Sequence, residues 1–295
     1  MACLNSIRNG TLVAMLVAVD RTLSSHVPPE GGGDLEKRRI SRRSLLNITN
    51  FRDLGGIRTI HGCQVRPYKF IRSGQLVGLD EETKQELVNR YQVTQVVDFR
   101  RPFERAESPD DRINGVTFTN IDLLEQSGTN SASLDDFASL GSADQVNGHM
   151  LNVYHDLVMN HAAQQGYGKF LRIVLGNTRG ATLFHCFAGK DRTGFAAALV
   201  LWLLEVDDDQ VFADYLKTNE ERVKANNQLL NQFRAQGFDQ DSLDALQIAL
   251  CVKKEYLAHA QQAMIEAYGD VFTYAQQALG FGPDQVDVLR RNLLE

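Results

Sequence analysis

The segment from residue 181 to residue 204 constrains the fold of this chain more than any other. It begins with the apolar run Ala181–His185, continues through the more polar residues 186–192 and ends in the apolar run Thr193–Leu204. This order predicts a buried strand, a short loop and a buried helix. Strand-like and helix-like runs alternate in the rest of the chain, so we expect an α/β fold whose mostly parallel sheet is flanked by helices.

Other segments add to this pattern. Residues from about 206 to 257 have a mostly helical pattern, and we expect a helical insertion there. Residues 126–148 are rich in Ser, Gly, Asn and Asp, which predicts a mobile loop. The remaining predicted elements are strands over Val65–Ile71 and 94–98 and helical stretches over Glu82–Tyr91 and His149–Leu175.

The loop after the central strand has the sequence HCFAGKDRTG, residues 185–194. A loop between the carboxyl end of a strand and the amino end of a helix offers backbone N–H groups and a positive helix dipole, and it therefore binds phosphate-like anions. Gly189 and Gly194 allow the backbone to bend and to approach a ligand closely. The field that attracts phosphate also lowers the pKa of a cysteine, and a thiolate is a nucleophile near neutral pH. Cys186 is therefore the candidate nucleophile.

Three neighbours of Cys186 have expected roles of their own. Arg192 lies six positions after the cysteine and supplies a planar fork that can hold two phosphoryl oxygens in the transition state. We expect His185 to orient the loop through its ring hydrogen bonds, and Thr193 to offer its hydroxyl group to the sulfur. The other loop residues expected to contact the substrate are Phe187, Ala188, Gly189 and Lys190.

The loop resembles the phosphate loop of the cysteine-dependent protein tyrosine phosphatases. Together with NFRDLGG at residues 50–56, it is most similar to the bacterial atypical class of these enzymes. The resemblance covers residues 45–295. Further matches lie at Arg72-Ser73, Val97–Arg100 with Glu104, Asp214–Asn219, Tyr268-Gly269 and Leu289-Arg290.

The resemblance has consequences for fold and function. It implies a cysteine-phosphatase-like central sheet of about four or five strands, with a helical lid inside residues 206–257. It also implies hydrolysis of phosphotyrosine through a phosphocysteine intermediate, without a metal or another cofactor. Some members of the class also accept phosphoserine, phosphothreonine or phosphoinositides.

The general acid has two candidates. A tyrosine that leaves as phenolate needs a proton from a nearby carboxylic acid. The resemblance assigns this role to the aspartate inside the loop, Asp191. Asp98 is the alternative because it ends a strand that runs in the same direction as the one before Cys186, but it could instead pair with Arg100 or cap a turn. Asp53 precedes two glycines, a setting more typical of a turn.

Lys190 bears on the choice of substrate. A lysine in the loop could contact a second phosphate on an inositol ring, or it could pair with Asp98 or Asp191. Phe187 stands where a second loop lysine occurs in some phosphoinositide phosphatases, which favours an aromatic ring or a singly phosphorylated headgroup.

An alternative is a protein that has the same loop but catalyses no reaction. A catalytically silent phosphate-binding or scaffold protein usually lacks the nucleophile or the arginine, and this chain has both Cys186 and Arg192. A sulfurtransferase of the rhodanese type also places a cysteine in an anion-binding loop, but it does not require the run Lys190–Thr193. The sequence therefore favours a phosphatase.

Composition limits the function further. The 295 residues are 43% hydrophobic and 23% charged, which excludes a disordered or low-complexity chain. The net charge of −6 gives no basic nucleic-acid-binding surface. We predict a monomer whose partners are its phosphorylated substrates. The four cysteines (Cys3, Cys63, Cys186 and Cys251) have no CxxC or zinc spacing, so we expect no disulfide framework and no structural metal.

Residues 1–44 predict a flexible lead and linker before a catalytic domain at 45–295. The apolar run Thr11–Val19 resembles a short signal peptide, but Asp20 and Arg21 follow it directly. The alternative is an N-terminal helix or a disordered lead, and we predict a cytoplasmic protein with secretion as the alternative. The basic cluster Lys37–Arg43 is either part of a solvated linker or a weak contact for an anionic membrane.

Overall fold

A five-stranded sheet lies at the centre of the structure, a computed structural model that describes residues 47–124 and 142–295. The strands lie in the spatial order first, second, fifth, third, fourth. The first two are antiparallel to each other, and every other neighbouring pair is parallel. In chain order they are β1 (Arg52–Asp53), β2 (Phe70–Ser73), β3 (Val93–Asp98), β4 (Thr117–Asn120) and β5 (Ala181–His185).

Helices cover both faces of this sheet. Successive side chains of a strand point to opposite faces, and along β5 Leu183 and Phe184 accordingly belong to two different core clusters. These observations confirm the predicted α/β fold with a mostly parallel sheet. The helices are α1 (Glu81–Asn89), α2 (Pro102–Glu107), α3 (Ala143–Met159), α4 (His161–Gly176), α5 (Asp191–Leu203), α6 (Asp208–Glu221), α7 (Val223–Ala235), α8 (Gln240–Leu250), α9 (Lys254–Tyr268), α10 (Val271–Gln277) and α11 (Pro283–Leu293).

Helix α5 is buried on all sides, as its uniformly apolar sequence predicts. Every residue from Thr193 to Leu203 is buried. The helix begins at Asp191, two residues earlier than predicted, directly after the left-handed turn at Gly189. Asp191 and Arg192 therefore lie in its first turn, beside the positive end of the helix dipole.

Two predicted segments differ from the structure. The strand predicted over Val65–Ile71 is wrong in its first part, because β2 begins only at Phe70. Pro67 has no N–H group to donate to a ladder, and Val65 pairs through a single bridge with Leu294.

The loop predicted over residues 126–148 is wrong at its end. Ser142 accepts a hydrogen bond from the backbone N–H of Gln145, and this cap starts α3 at Ala143. The rest of that predicted loop, the lead 1–44 and the basic cluster Lys37–Arg43 lie outside the described residues.

The insertion predicted between about 206 and 257 is helical, as expected. It contains α6, α7, α8 and the start of α9. Asn226 on α7 donates to the carbonyl oxygen of Leu250, which joins the first turn of α7 to the end of α8. Within the described ranges, no helix is both long and apolar enough for a membrane span.

Candidate active site

The loop that carries Cys186 begins at the carboxyl edge of the parallel strands. Ser73, His185 and Asp98 occupy matching positions at the ends of β2, β5 and β3. Parallel strands bring their carboxyl ends to one edge of a sheet, where ligand sites of α/β folds form. The predicted meeting of the Asp98 strand and the Cys186 strand at this edge is therefore observed.

Gly189 gives the loop its shape. Its φ angle is 66°, in the left-handed region that favours glycine. A Cβ atom at this position would lie 2.2 Å from the carbonyl oxygen of Ser73, so a side chain here would collide with the backbone of β2. Both the conformation and the space at this position therefore require glycine.

The carbonyl groups of the loop point outwards to donors from other parts of the chain. The Phe187 carbonyl accepts from the backbone N–H of Gln75 at 3.1 Å. The Gly189 carbonyl accepts from Asn50 at 2.7 Å and from Arg72 at 2.8 Å. In a trans peptide the N–H group points away from the carbonyl. The N–H groups that follow these carbonyls therefore face the opposite side, as an anion-binding loop requires.

The thiol of Cys186 lies at the start of this loop and is 2% exposed. Burial alone raises the pKa of a thiol, but the positive charge of Arg192 and hydrogen bonding by Thr193 outweigh burial here. The pKa of Cys186 is therefore lowered from its ordinary value. The structure thus brings together the cysteine, the arginine and the threonine that the sequence singled out.

Glu104 holds the guanidinium group of Arg192 in place. Its two carboxylate oxygens accept from Nη1 and Nη2 of Arg192 at 2.7 and 2.9 Å. The Nη1 group also donates to the carbonyl oxygen of Phe99 at 3.2 Å. Burial alone would raise the pKa of Glu104, but Arg192 outweighs it and the pKa is lowered, so this carboxyl group is ionised at neutral pH.

Asp191 lies among buried hydroxyl groups. The Tyr154 hydroxyl donates to Oδ1 of Asp191 at 2.8 Å, and it lies 2.6 Å from the hydroxyl of Tyr215. Burial, and then the charge of Asp191, raises the pKa of Tyr154 well above its ordinary value, so this hydroxyl keeps its proton.

The side chain of Lys190 contacts helix α8 and Asp191. Its Nζ atom donates to the carbonyl oxygen of Ala249 near the end of α8, and it lies 3.5 Å from Oδ2 of Asp191. The pairing of Lys190 with Asp191, one of the alternatives drawn from the sequence, is therefore present.

Asp98 is fully engaged with Arg100. Both of its carboxylate oxygens accept from the Arg100 guanidinium group, at 3.0 and 2.9 Å, and the backbone N–H of Arg100 also donates to it. The expected pairing of Asp98 with Arg100 is thus observed, and the described contacts of Asp98 include neither Lys190 nor Arg192. Asp98 is 1% exposed.

His185 and Asp110 complete the same buried network. The Nδ1 atom of His185 lies 3.1 Å from the carbonyl oxygen of Cys186, and Nε2 lies 3.0 Å from Oδ2 of Asp110. The Arg100 guanidinium group joins Asp110 to Asp98, with 2.8 Å to Oδ1 of Asp110.

This network also has the spacing of a metal site, because donor atoms of Asp98, Asp110 and His185 lie within 4.8 Å of one another. The guanidinium group of Arg100 contacts both carboxylates directly. A side chain of the protein therefore already supplies the cation that these carboxylates need.

A second buried network supports the other side of the loop. Asp214 on α6 accepts from Nε of Arg52 and from Nη1 of Arg72, both at 2.6 Å. Arg52 also donates to the side chain of Asn50. The two arginines and Asn50 come from the segments that resembled the family near the start of the chain, and Asp214 from the match at 214–219.

Sequence reasoning missed several of these partners. Glu104 and Asp214 occurred only as matching positions without an assigned role, and Asp110, Tyr154 and Arg222 were not singled out. Arg222 on the insertion donates to the Ala188 carbonyl at 3.0 Å. For Glu104 and Asp214, the family matches were a signal in the sequence that could have identified them as partners of the loop. Asp110, Tyr154 and Arg222 lie outside the family matches named in the sequence analysis.

Other residues lie apart from the loop contacts described above. Asp53 accepts from the backbone N–H groups of Gly55 and Tyr68, which is the turn chemistry expected for it. Cys63 is exposed and Cys251 is partly exposed, and both are free thiols.

Several known proteins and one family profile are similar to this chain. A profile described as the tyrosine phosphatase family matches residues 43–295. A Cupriavidus necator protein, provisionally named a tyrosine-protein phosphatase, is 32% identical over 79% of this chain and 82% of its own length. The triple specificity protein phosphatase PtpB of Mycobacterium tuberculosis is 29% identical over 85% of this chain and 99% of its own. A crystal structure of P. aeruginosa TpbA aligns with 64% of this chain and 89% of its own at 18% identity, with a TM-score of 0.28. The family profile and the first relative confirm the resemblance seen in the sequence: the chain belongs to the tyrosine phosphatase family.

Proposed function

We propose that this protein hydrolyses phosphotyrosine through a phosphocysteine intermediate at Cys186. The observation that supports this most is the setting of the thiol. It lies at the start of a loop with outward-facing carbonyl groups, at the amino end of α5, and Arg192 lowers its pKa. A thiolate in an anion-binding loop is both attracted to a phosphate ester and reactive towards it.

In the first step the Cys186 sulfur attacks phosphorus, and the bond from phosphorus to the tyrosine oxygen breaks. Asp191 donates its proton to the leaving oxygen. In the second step water attacks the phosphocysteine, Asp191 takes a proton from this water, and the bond from sulfur to phosphorus breaks. Inorganic phosphate leaves and the thiolate is restored.

Arg192 stabilises the transferring phosphoryl group in both steps. A guanidinium group has five N–H donors. Glu104 and the Phe99 carbonyl take three of them, and the remaining donors in the described contacts are on Nε and Nη2. These two N–H groups lie on one edge of the guanidinium plane and form a fork that fits two phosphoryl oxygens. Glu104 thus holds the fork without occupying it.

We assign the acid to Asp191 rather than to Asp98. Asp191 is in the loop and partly exposed, and a hydroxyl group fixes one of its oxygens. The Asp98 carboxylate is buried and bonded to Arg100, so it is poorly placed to exchange a proton with a substrate. His185 and Thr193 support Cys186, and the substrate contacts come from Phe187, Ala188, Gly189 and Lys190.

The breadth of the substrate range is a separate part of the proposal. One relative is named a triple specificity phosphatase, which favours tests on phosphoserine, phosphothreonine and phosphoinositides beside phosphotyrosine. Lys190 would need to leave Ala249 and Asp191 before it could contact a second phosphate. We therefore rank phosphotyrosine first, and a panel of phosphopeptides and phosphoinositides tests this order.

Residues 45–295 form the proposed catalytic unit, and α6–α8 form a lid over its loop. Arg222 and Ala249 of this insertion contact Ala188 and Lys190 of the loop. Deletion of residues 1–44 should leave turnover of small substrates unchanged. A large loss of turnover in a folded deletion variant would mean that residues 1–44 contain part of the catalytic unit.

The location and assembly of the protein are also proposals. We propose a cytoplasmic monomer, with secretion as the alternative location. Weak binding through Lys37–Arg43 should appear as salt-sensitive attachment to anionic vesicles. Failure of the full-length protein to attach to these vesicles at low salt would contradict the proposed membrane contact.

The direct test is the substitution Cys186→Ser. The variant should keep its fold and bind phosphate, but its turnover of para-nitrophenyl phosphate should fall by a factor on the order of 10⁴ or more, since removal of a nucleophile has effects of this size. Iodoacetate should inactivate the wild type, phosphate or vanadate should protect it, and EDTA should have no effect. A wild type that binds phosphate but releases none from any ester would favour the silent scaffold instead.

A further inference from the structure

Both ring nitrogens of His185 face oxygen atoms that can only accept hydrogen bonds. Nδ1 lies 3.1 Å from the carbonyl oxygen of Cys186, and Nε2 lies 3.0 Å from a carboxylate oxygen of Asp110. A neutral imidazole has one N–H donor and one acceptor, whereas an imidazolium has two donors. In a neutral ring, one of the two nitrogens would carry a lone pair at this short distance from an oxygen, in a site with no exposure to water.

The charges around the ring favour the same state. The charged groups that face His185 are the carboxylates of Asp110 and Asp98 and the guanidinium group of Arg100. With a neutral ring, this buried cluster would carry a net charge of −1 beside the thiolate of Cys186. With an imidazolium it carries two positive and two negative charges. Uncompensated buried charge is costly, so the balanced state is favoured.

We infer that Asp110 holds His185 as a doubly protonated imidazolium behind the phosphate loop, and that Asp110 is thereby a positioning residue for Cys186. The inference rests on the proposed function only in taking Cys186 as the nucleophile. The imidazolium donates to the carbonyl of the same residue whose sulfur is ionised, so its positive charge and its hydrogen bond act on the cysteine together.

The electrostatics of the individual groups agree with this geometry. Burial lowers the pKa of His185, but Asp110 and then Asp98 outweigh burial, so the pKa is raised. Burial raises the pKa of Asp110, but His185 and Arg100 outweigh it and bring the pKa down to about 2. Asp110 also accepts from the backbone N–H of Leu76 at 3.0 Å, which fixes its position in the loop before β4.

The protonation state can be observed in the wild type without a variant. In protein labelled with ¹⁵N-histidine, both ring nitrogens of His185 should have the chemical shifts of protonated nitrogens at pH 7 and should remain so in alkaline solution. The signals are assigned by their loss in His185→Gln, since the chain has 7 histidines. A neutral tautomer at pH 7 would overturn the inference.

The effect on the nucleophile is measured as the pH dependence of alkylation by iodoacetate, followed on the peptide that contains Cys186. In Asp110→Asn the ring of His185 should lose its proton, because Asp98 and Arg100 then balance each other without it. With this positive charge gone, the pKa of the Cys186 thiol should rise by about one unit. Asp111→Asn is the matched control, because Asp111 accepts from the backbone N–H of Leu79 at 2.7 Å in the same loop. This control should leave the thiol pKa unchanged.

His185→Gln provides a second route if Asp110→Asn does not fold. Glutamine can still donate to the Cys186 carbonyl but carries no charge, so the thiol pKa should rise here as well. A folded Asp110→Asn or His185→Gln variant with a wild-type thiol pKa would overturn the positioning role. Absence of phosphatase activity in the wild type would instead contradict the proposed function, and it would leave both the alkylation and the nitrogen spectra measurable.

Discussion

Two buried polar networks support the phosphate loop, and they differ in net charge. The network behind Cys186 has two carboxylates, from Asp98 and Asp110, one guanidinium group, from Arg100, and one histidine. With the histidine protonated, its charges balance. We call this the balanced network.

The network beneath Ala188 and Gly189 has an excess of positive charge. Arg52 and Arg72 share the single carboxylate of Asp214. Burial, followed by the charge of Arg52, lowers the pKa of Arg72 to about 10, although Asp214 and the Cys186 thiolate act in the opposite direction. We call this the positive network.

The difference indicates distinct roles for the two networks. A balanced cluster is complete by itself and can fix the position of a carbonyl group in every state of the enzyme. A cluster with excess positive charge is neutralised by the thiolate or by a bound phosphate. Anions that bind the folded protein should therefore stabilise it. The predictions that follow separate the two networks from each other and from Asp191, the proposed general acid.

Among the variants that separate the networks from the proposed acid, the largest effect is expected from Asp191→Asn, which lies outside both networks. Turnover of phenyl phosphate or phosphotyrosine should fall by about 10²–10⁴-fold, the usual contribution of a general acid. Turnover of an activated ester, whose phenolate leaves without a proton, should fall much less. The alkaline limb of the pH–rate profile should also become flatter.

Asp98→Asn is the matched comparison for that variant. It removes a charge from the balanced network, so its loss of turnover should be smaller and should depend little on the leaving group. If the dependence on the leaving group is found in Asp98→Asn and not in Asp191→Asn, the acid is Asp98 and Asp191 has only a role in ordering the loop.

The next effect is a loss of stability on breaking the positive network. Asp214→Asn leaves two buried guanidinium groups without a counter-charge, which should lower the free energy of unfolding by about 3–5 kcal/mol. Urea unfolding measures this loss, and vanadate should restore part of it. Glu220→Gln, at an exposed position of the same helix α6, is the control and should change the stability little. A change in Asp214→Asn no larger than in this control would contradict the counter-charge role of Asp214.

The sequence predicted the parts of the site that are close together along the chain. The strand, the loop and the helix around Cys186 follow from apolar runs and two glycines, and the pairing of Asp98 with Arg100 spans two positions. The parts it missed join distant positions. Glu104 lies 88 residues from Arg192, and Tyr154 lies 37 residues from Asp191.

The errors in the elements have local physical causes. The strand expected from Val65 begins late because Pro67 cannot donate to a ladder. Helix α5 begins early because the chain turns at Gly189, and periodicity alone cannot locate such a turn. Buried polar pairs leave no periodic signal, since each depends on the way in which the strands and helices are assembled.

A smaller effect is expected from acid, and it concerns the balanced network. The pKa of Asp110 is lowered from 3.8 to about 2 in the folded state, so the folded form binds fewer protons there than the unfolded chain. Its contribution of about 2 kcal/mol is therefore present above pH 3.8 and is lost as the pH falls towards 2. The difference in unfolding free energy between wild type and Asp110→Asn should narrow over this range. A constant difference would contradict the lowered pKa.

The smallest effect is expected from Tyr154→Phe, because this variant removes only the hydroxyl group that contacts Asp191 and Tyr215, and it leaves both networks intact. Loss of a buried hydrogen bond should lower the free energy of unfolding by about 1 kcal/mol. Tyr274→Phe is the matched control, since its buried hydroxyl donates to the Val158 carbonyl at 3.0 Å. Tyr154→Phe should lose at least as much stability as this control, because its hydroxyl group also contacts that of Tyr215. In Tyr154→Phe alone, turnover of phenyl phosphate should fall by about tenfold, as a loss of 1.4 kcal/mol in the transition state would give, and the pKa of the Cys186 thiol should be unchanged. An equal fall for an activated ester would mean that Tyr154 supports the loop in general rather than the orientation of Asp191.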